Sequence, residues 1–301
     1  MAKNTHSGVS VYDPSQDSHN ASRLTLMGDL RAAIAAGGLQ LYYQPKVGCA
    51  DDRPSGMEAL LRWCHPVHGF IPPDEFIPLA EQTGQIAPLT EWVLRTALAQ
   101  GHAWNRRGIA LDLAVNLSAR SLHDSALPNQ IAELLQSCNY PPTQLTLEIT
   151  ESALMIDPIR ARDVLTRLVA LGVHISIDDF GTGYSSLGYL KRLPVDEIKL
   201  DRSFVLEIVG NARDAALARS IIAMAHALDL SIVAEGVETR EVWALLRTLG
   251  CDAGQGYYLS RPIPAAHLER WVEGRLPSPS GIDGGNMFAT DGARTERHPR
   301  P

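Results

Sequence analysis

The feature that most constrains the fold is the regular alternation of short apolar runs with amphipathic segments along most of the chain. Short apolar runs bounded by turn residues indicate buried strands, and apolar residues at helical spacing indicate helices. We predict strands at 39–47, at a second run ending in Glu58, and near 111–116, 145–150, 173–178, 195–200, 230–235 and 251–255. Helices are predicted at 24–36, 74–82, 88–107, 129–138, 158–171, 186–192, 213–228, 239–249 and 264–273. Alternating units of this kind build parallel sheets.

The number and spacing of these units favour a closed barrel over an open sheet. Eight strands with intervening helices fit the TIM-type barrel, and no G-x-G-x-x-G motif follows any strand. Only a short polar loop separates the first two strands, so we predict that they form a hairpin. The fold class is therefore α/β, a modified (β/α)8 barrel with an irregular first hairpin, which would use most of the 301 residues.

Six of the apolar runs end in a carboxylate or a carboxamide. These side chains are Glu58, Asn116, Glu148, the pair Asp178 and Asp179, Glu235 and Gln255. The carboxyl ends of barrel strands meet at one rim, where the chemistry of this fold gathers. An ionised acid behind a buried strand is costly to desolvate alone, so several at one rim indicate a shared counter-charge, most simply divalent metal ions. The pattern predicts a metal-dependent enzyme.

Composition excludes other classes of function and location. The net charge of −7 argues against a partner that is a nucleic-acid polymer, because such binding needs a surface rich in Lys and Arg. No apolar run approaches the ~20 residues that span a bilayer, so we predict no membrane segment in this chain. The four cysteines lack C-x-x-C spacing, which favours free thiols and a reducing, cytoplasmic location.

A set of motifs in fixed order then carries a family resemblance. Glu58-Ala59-Leu60 is followed by Leu61-Arg62 and preceded by Gln44-Pro45-Lys46, and downstream come Asn116, TLEITES, DDFGTGYSSL, Lys199-Leu200-Asp201, AEGVE and GQGYYLSRP. A lone Glu-Ala-Leu would mean nothing. The whole set, over residues 24–273, resembles the EAL-domain phosphodiesterases, which hydrolyse the second messenger cyclic di-GMP to linear pGpG.

The resemblance implies a two-metal mechanism and a role for each matching residue. The implied metal ligands are Glu58, Asn116, Glu148, Asp178, Asp179 and Glu235. Oxygen-only ligands suit two Mg²⁺ or Mn²⁺ ions, whereas Ca²⁺ is expected to bind and inhibit because its coordination is longer and more flexible. Lys199 is implied beside the attacking water, and Glu235 acts either as general base or as a ligand of the second ion.

The same resemblance implies substrate contacts and a partner. Its implied substrate-binding residues are Gln44, Leu61, Arg62, Gln255 and Pro262, and a guanidinium at Arg62 suits a phosphate oxygen. Glu151 resembles the glutamate that anchors the DFGTGYSS loop. Members of the family often pair through the helix after that loop, so a homodimer is expected.

Simpler interpretations compete with these assignments. An isolated acid after a strand is more often a helix N-cap or a solvated loop residue than a metal ligand. Metal binding becomes the better interpretation only because such acids recur at the ends of several strands. Lys199 lies between Ile198 and Leu200, a poor position for an unpaired ammonium. Two other functions also remain open: a receptor that binds cyclic di-GMP without hydrolysing it, and an interaction module whose barrel is only a scaffold.

The ends of the chain predict flanking segments. Residues 1–22 are expected to be a linker, and 2–13 resemble the end of a diguanylate cyclase (GGDEF) domain, as in the C-terminal part of a longer signalling protein. The EAL barrel is expected over 23–274. Residues 275–301, rich in Pro, Gly and charge, predict a disordered tail.

Overall fold

The computed structural model describes residues 14–182 and 187–275. The predictions for 1–13, for 183–186 in the DFGTGYSS loop and for 276–301 lie outside this part of the chain. Its strands are β1 (Leu39–Gly48), β2 (Pro54–His65), β3 (Gly69–Ile71), β4 (Asp112–Leu117), β5 (Leu145–Thr150), β6 (His174–Phe180), β7 (Glu197–Leu200), β8 (Ser231–Ala234), β9 (Ala253–Gly254) and β10 (Ile263–Pro264). Its α-helices are α1 (Pro14–Ala36), α2 (Pro73–Thr83), α3 (Ile86–Asn105), α4 (Ala119–Leu122), α5 (Leu127–Cys138), α6 (Glu151–Leu154), α7 (Pro158–Val169), α8 (Leu187–Leu190), α9 (Ala212–Ala227), α10 (Arg240–Leu249) and α11 (Ala265–Glu273).

Eight of the strands close into a barrel. Strands β2, β4, β5, β6, β7, β8 and β9 pair in parallel in that order. Strand β1 closes the ring, because it is antiparallel both to β2 and to β9. The predicted TIM-type barrel with an irregular first hairpin is therefore confirmed. The short strands β3 and β10 lie outside the ring and pair antiparallel with β2 and β1.

The predicted boundaries hold for most elements. Among the strands the largest difference is at β2, which continues to His65 instead of ending at Glu58, and two helices differ as well. Helix α1 extends back to Pro14, the first residue that the structure describes, and so includes residues before the predicted start at 24. Among the described residues, helix α8 spans Leu187–Leu190 and ends two residues before the predicted end at 192.

Strand alternation divides the side chains between the helical layer and the barrel interior. In β5, Leu145, Leu147 and Ile149 are fully buried in the main hydrophobic core, so Glu148 projects to the opposite face. The same alternation in β7 buries Ile198 in that core and turns its neighbour, Lys199, inward. Polar side chains therefore project into the interior of this barrel.

A smaller core holds the first helices against the hairpin. Trp63 of β2 packs edge-on against Phe76 of α2, with ring centroids 5.4 Å apart, and Leu30 of α1 belongs to the same cluster. All four cysteines carry free thiols, of which Cys64 is exposed. Within the described residues, no helix is long and apolar enough to cross a membrane.

Candidate metal centre at the strand ends

A buried ammonium occupies the centre of the barrel at the carboxyl ends of its strands. Lys199 Nζ lies 2.7 Å from Glu235 Oε1, 2.8 Å from Glu148 Oε2, 3.2 Å from Asp178 Oδ1 and 3.4 Å from Glu58 Oε2. The side chain of Lys199 is only 1% exposed. One lysine therefore connects acids that come from four different parts of the barrel wall.

A bulge in β6 brings two consecutive acids to the same side. Side chains of successive strand residues normally point to opposite faces. The register of β6 on β7 shifts between Ile177 and Phe180, and Asp179 adopts a left-handed backbone with a φ of 54°. Aspartate tolerates this conformation better than most residues. As a result, Asp178, Asp179 and Glu235 each present an oxygen within 4.8 Å of the others, a group that could hold a metal ion.

Carboxamides connect the cluster to β1. Asn116 Nδ2 donates to Glu58 Oε1 at 2.6 Å, and Gln255 Nε2 donates to Glu58 Oε2 at 2.7 Å. Gln255 Nε2 also donates to Gln44 Oε1 at 3.0 Å, while Gln44 Nε2 donates to the carbonyl oxygen of Ser260 at 3.0 Å. The amide oxygen of Gln255 is buried and has no hydrogen-bond partner among the described residues.

A second buried lysine, on β1, also contacts the cluster. Lys46 Nζ lies 2.9 Å from Glu148 Oε1 and 3.1 Å from Glu197 Oε1. Sequence reasoning did not assign Lys46 a role. The signal was available, since Lys46 lies in the strand run LQLYYQPKV, where an unpaired ammonium would be as costly as at Lys199.

Burial and charge shift the acids in different directions. Burial raises the pKa of Glu58 and Asp178, and it raises the pKa of Glu235 to about 7 despite the nearby ammonium. Burial also acts to raise the pKa of Glu148, but the two lysine ammoniums together bring it down to about 2. For Lys199, burial is outweighed by the surrounding carboxylates, and its pKa lies well above the usual value. The cluster thus has more acids than its cations can neutralise.

The first acid of TLEITES beyond the strand holds the start of the DFGTGYSS loop. Glu151 begins α6 and is buried, and its Oε2 accepts a hydrogen bond from the backbone N–H of Gly181 at 3.1 Å. Gly181 follows the two aspartates of β6 and Phe180. This contact fixes the position of the backbone just after Asp178 and Asp179.

A cleft of about 190 Å³ opens beside the cluster. Its lining includes Gln44, Glu58, Glu235 and Gln255 among the predicted residues, together with Arg202 and Tyr257, which sequence reasoning missed. The described residues that line it do not include Leu61, Arg62 or Pro262. Arg62 lies four residues beyond Glu58 on β2, roughly 13 Å along the strand, and donates to the carbonyl oxygen of Leu61. Pro262 directly precedes β10. A wider groove of about 890 Å³ lies elsewhere, beside α3 and α5, and none of the strand-end acids lines it.

Comparison with known proteins places these features in one family. A family model described as the EAL domain matches residues 27–262. The chain is 42% identical over 266 residues to the cyclic di-GMP phosphodiesterase PA2567 of Pseudomonas aeruginosa, covering 88% of this chain and 45% of that protein. It is 45% identical over 262 residues to the bifunctional diguanylate cyclase/cyclic di-GMP phosphodiesterase MucR of the same organism, covering 87% of this chain and 38% of that protein.

A solved structure gives the same result. The c-di-GMP complex of the PaMucR phosphodiesterase matches with a TM-score of 0.78 and 47% sequence identity, over 81% of this chain and 99% of that chain. The chain spans less than half the length of either curated relative named above.

Proposed function

The chain belongs to the EAL domain family, and from this premise we propose that it is a phosphodiesterase that hydrolyses cyclic di-GMP to linear pGpG. The observation that carries the proposal is the convergence of Glu58, Glu148, Asp178 and Glu235 on one buried ammonium at the strand ends. A scaffold would not need this costly group of buried charges.

The donor set fits divalent metal ions. Oxygens of Asp178, Asp179 and Glu235 lie within 4.8 Å of one another. Hard cations prefer oxygen ligands of this kind. We propose two Mg²⁺ or Mn²⁺ ions, held by Glu58, Asn116, Glu148, Asp178, Asp179 and Glu235. When bound, such ions polarise a phosphate and make water a better nucleophile.

The protein's own groups supply charge and proton transfer. Lys199, whose raised pKa keeps it charged, would stabilise negative charge developing on the attacked phosphate. Burial raises the pKa of Glu235 to about 7, which suits a base that takes a proton from water near neutral pH. We therefore propose Glu235 as the general base or as a ligand of the second ion.

Substrate recognition is assigned to residues around the cleft. Gln44 and Gln255 are already oriented by the hydrogen bond between them and border the cleft. Arg62, Leu61 and Pro262 are not among the described residues that line the cleft, and we propose that they contact the rest of the dinucleotide. The guanidinium of Arg62 is suited to a phosphate oxygen.

Incubation of the purified chain with cyclic di-GMP and Mg²⁺, followed by chromatography of the nucleotides, tests the proposal. We expect pGpG to accumulate and EDTA to stop its formation. Binding of cyclic di-GMP in calorimetry without any pGpG would refute the enzyme and support a receptor. Neither binding nor product would support an interaction module.

Two further predictions concern the setting of the activity. We propose that the chain forms a homodimer through the DFGTGYSS loop and the following helix, which light scattering of the purified chain measures. A cytoplasmic location is proposed because its nucleotide substrate is an intracellular messenger, and fractionation of cells that produce the protein tests this.

A further inference from the structure

Each oxygen of the Glu148 carboxylate has its own ammonium. Oε2 accepts from Lys199 at 2.8 Å, and Oε1 accepts from Lys46 at 2.9 Å. The Glu148 side chain is 0% exposed, so water does not compete for either oxygen. The two ammoniums lie on different barrel strands, β7 and β1, and approach the carboxylate through different oxygens.

The two oxygens of Glu148 also have different surroundings. Oε2 shares Lys199 with Glu58, Asp178 and Glu235, the acids of the proposed metal centre. Oε1 shares Lys46 with Glu197, and these two residues line a separate cavity of about 230 Å³. Strand β7 thus contributes Lys199 to the first group and Glu197, two residues earlier, to the second. The carboxylate of Glu148 bridges the two groups.

Lys46 is itself firmly held. It is buried, and its second contact, Glu197 Oε1, is 3.1 Å away. A buried lysine bonded to two carboxylates has little freedom to release Glu148, because an unpaired buried charge is costly. Lys46 therefore keeps Oε1 of Glu148 occupied independently of the contacts of Oε2.

We propose that Lys46 is a positioning residue that restricts Glu148 to binding a metal ion through one oxygen, and that it thereby favours Mg²⁺ over Ca²⁺ at this centre. The inference rests on the proposed function, in which Glu148 is a metal ligand. Mg²⁺ takes six ligands in near-ideal octahedral geometry, whereas Ca²⁺ takes six to eight and readily accepts both oxygens of one carboxylate. A carboxylate with one oxygen already occupied suits the smaller ion.

The ammonium of Lys46 also repels cations electrostatically, and this effect predicts a different result from its effect on the coordination by Glu148. Removing an ammonium near the centre strengthens the binding of any divalent cation, and to a similar extent for ions of equal charge. The ratio of the dissociation constants for Mg²⁺ and Ca²⁺ cancels this contribution. A change in that ratio reports the coordination of Glu148 rather than the local potential.

The test is calorimetric titration of the metal-free chain with Mg²⁺ and with Ca²⁺, without nucleotide. In Lys46→Met, which keeps the length of the side chain and removes its charge, we expect the ratio Kd(Mg²⁺)/Kd(Ca²⁺) to rise at least fivefold. The matched control is Glu197→Gln, which removes the other carboxylate of Lys46 and leaves its contact with Glu148. For this control we expect a ratio within twofold of the unsubstituted chain.

A second variant guards against a simple folding defect. Lys46→Met with Glu197→Gln leaves no unpaired carboxylate at Glu197 and should show the same rise. A ratio within twofold in both Lys46 variants overturns the proposal, as does an equal rise in Glu197→Gln alone. Loss of cooperative unfolding in both Lys46 variants would also overturn it, since the role would then be structural.

Hydrolysis by the unsubstituted chain is measured separately. Ion selectivity that depends on Lys46 in a chain that forms no pGpG would refute the phosphodiesterase and support the inference. Hydrolysis by the unsubstituted chain, together with an ion ratio that does not change in the Lys46 variants, would support the phosphodiesterase and refute the inference. A chain that binds neither ion would overturn both the metal centre and the role of Lys46.

Discussion

Replacing Lys199 by methionine removes the ammonium at the centre of the acid cluster while nearly keeping the volume of the side chain. The substitution abolishes contacts of 2.7 Å to Glu235 and 2.8 Å to Glu148, and longer ones to Asp178 and Glu58. Breaking a buried ion pair by removing one partner costs about 3–5 kcal/mol, because the other charge stays buried. In a barrel of this size each kcal/mol corresponds to roughly 2–4 °C, so Tm in EDTA should fall by roughly 6–20 °C.

The loss of stability should depend on pH with a definite sign. Without the ammonium, the folded-state pKa of Glu58, Asp178 and Glu235, already raised by burial, must rise further above the unfolded-state value. The folded state then binds more protons than the unfolded state, so stability declines as pH rises. The deficit relative to the unsubstituted chain should be larger at pH 8 than at pH 5.5.

Metal ions should reverse much of the deficit. Mg²⁺ at a hundred times its dissociation constant stabilises a folded protein by about 2.7 kcal/mol, and methionine removes a cation that competes for the same oxygens. Thermal denaturation followed by circular dichroism, in EDTA and in Mg²⁺ at both pH values, measures all three effects. Lys191→Met, at an exposed lysine, is the matched control and should change Tm by less than about 2 °C. If Lys199→Met in EDTA has the same Tm as this control at both pH values, Lys199 does not balance the charge of the cluster.

Four other predictions concern catalysis and packing. Glu58→Ala should reduce pGpG formation by about a thousandfold or more, since ion binding supplies several kcal/mol to the transition state, and a near-normal rate in the nucleotide assay would show that the metal assignment is wrong. Ca²⁺ added to a reaction with Mg²⁺ should lower the rate, and Ca²⁺ that supports turnover as well as Mg²⁺ would contradict this. Glu235 must be ionised to act as base or ligand, and burial raises its pKa to about 7. The rate of hydrolysis at low Mg²⁺ should therefore fall by up to about tenfold per pH unit below 7, and saturating Mg²⁺ should move this decline to lower pH. A rate that does not change from pH 5.5 to 8 would argue against the role of Glu235. Gly256→Ala would place a methyl carbon against the backbone of Val237, where no side chain fits without movement. Urea denaturation should therefore show that the free energy of unfolding falls by about 3 kcal/mol, and a fall below about 1 kcal/mol would refute the close approach.

The barrel could be predicted because each unit carries its own signal. The runs that end at Asn116, Glu148 and Glu235 show strand periodicity locally, and the absence of a helix between the first two strands predicts the hairpin that closes the ring. The gathering of acids follows from one rule, that parallel strands of a barrel end at the same rim. None of these steps needs a distance between residues that are remote in sequence.

The short outer strands could not be predicted in the same way. Strand β3 has three residues and β10 has two, which is too few for a periodic pattern. Both form because an existing edge offers unpaired N–H and C=O groups: β3 extends β2, and β10 pairs with β1. Such strands depend on the fold around them rather than on their own sequence.

The site shows the same division between local and long-range information. Regular alternation would send Asp178 and Asp179 to opposite faces, and only the register shift of β6 against β7 allows both to meet Glu235. The sequence DD contains the residue type that tolerates the left-handed turn, but the shift itself depends on the pairing with the next strand. Lys46 and Glu148 are 102 residues apart, and their contact requires the barrel to close. A buried lysine in a strand therefore predicts that an acid lies opposite, and identifying that acid requires the three-dimensional structure.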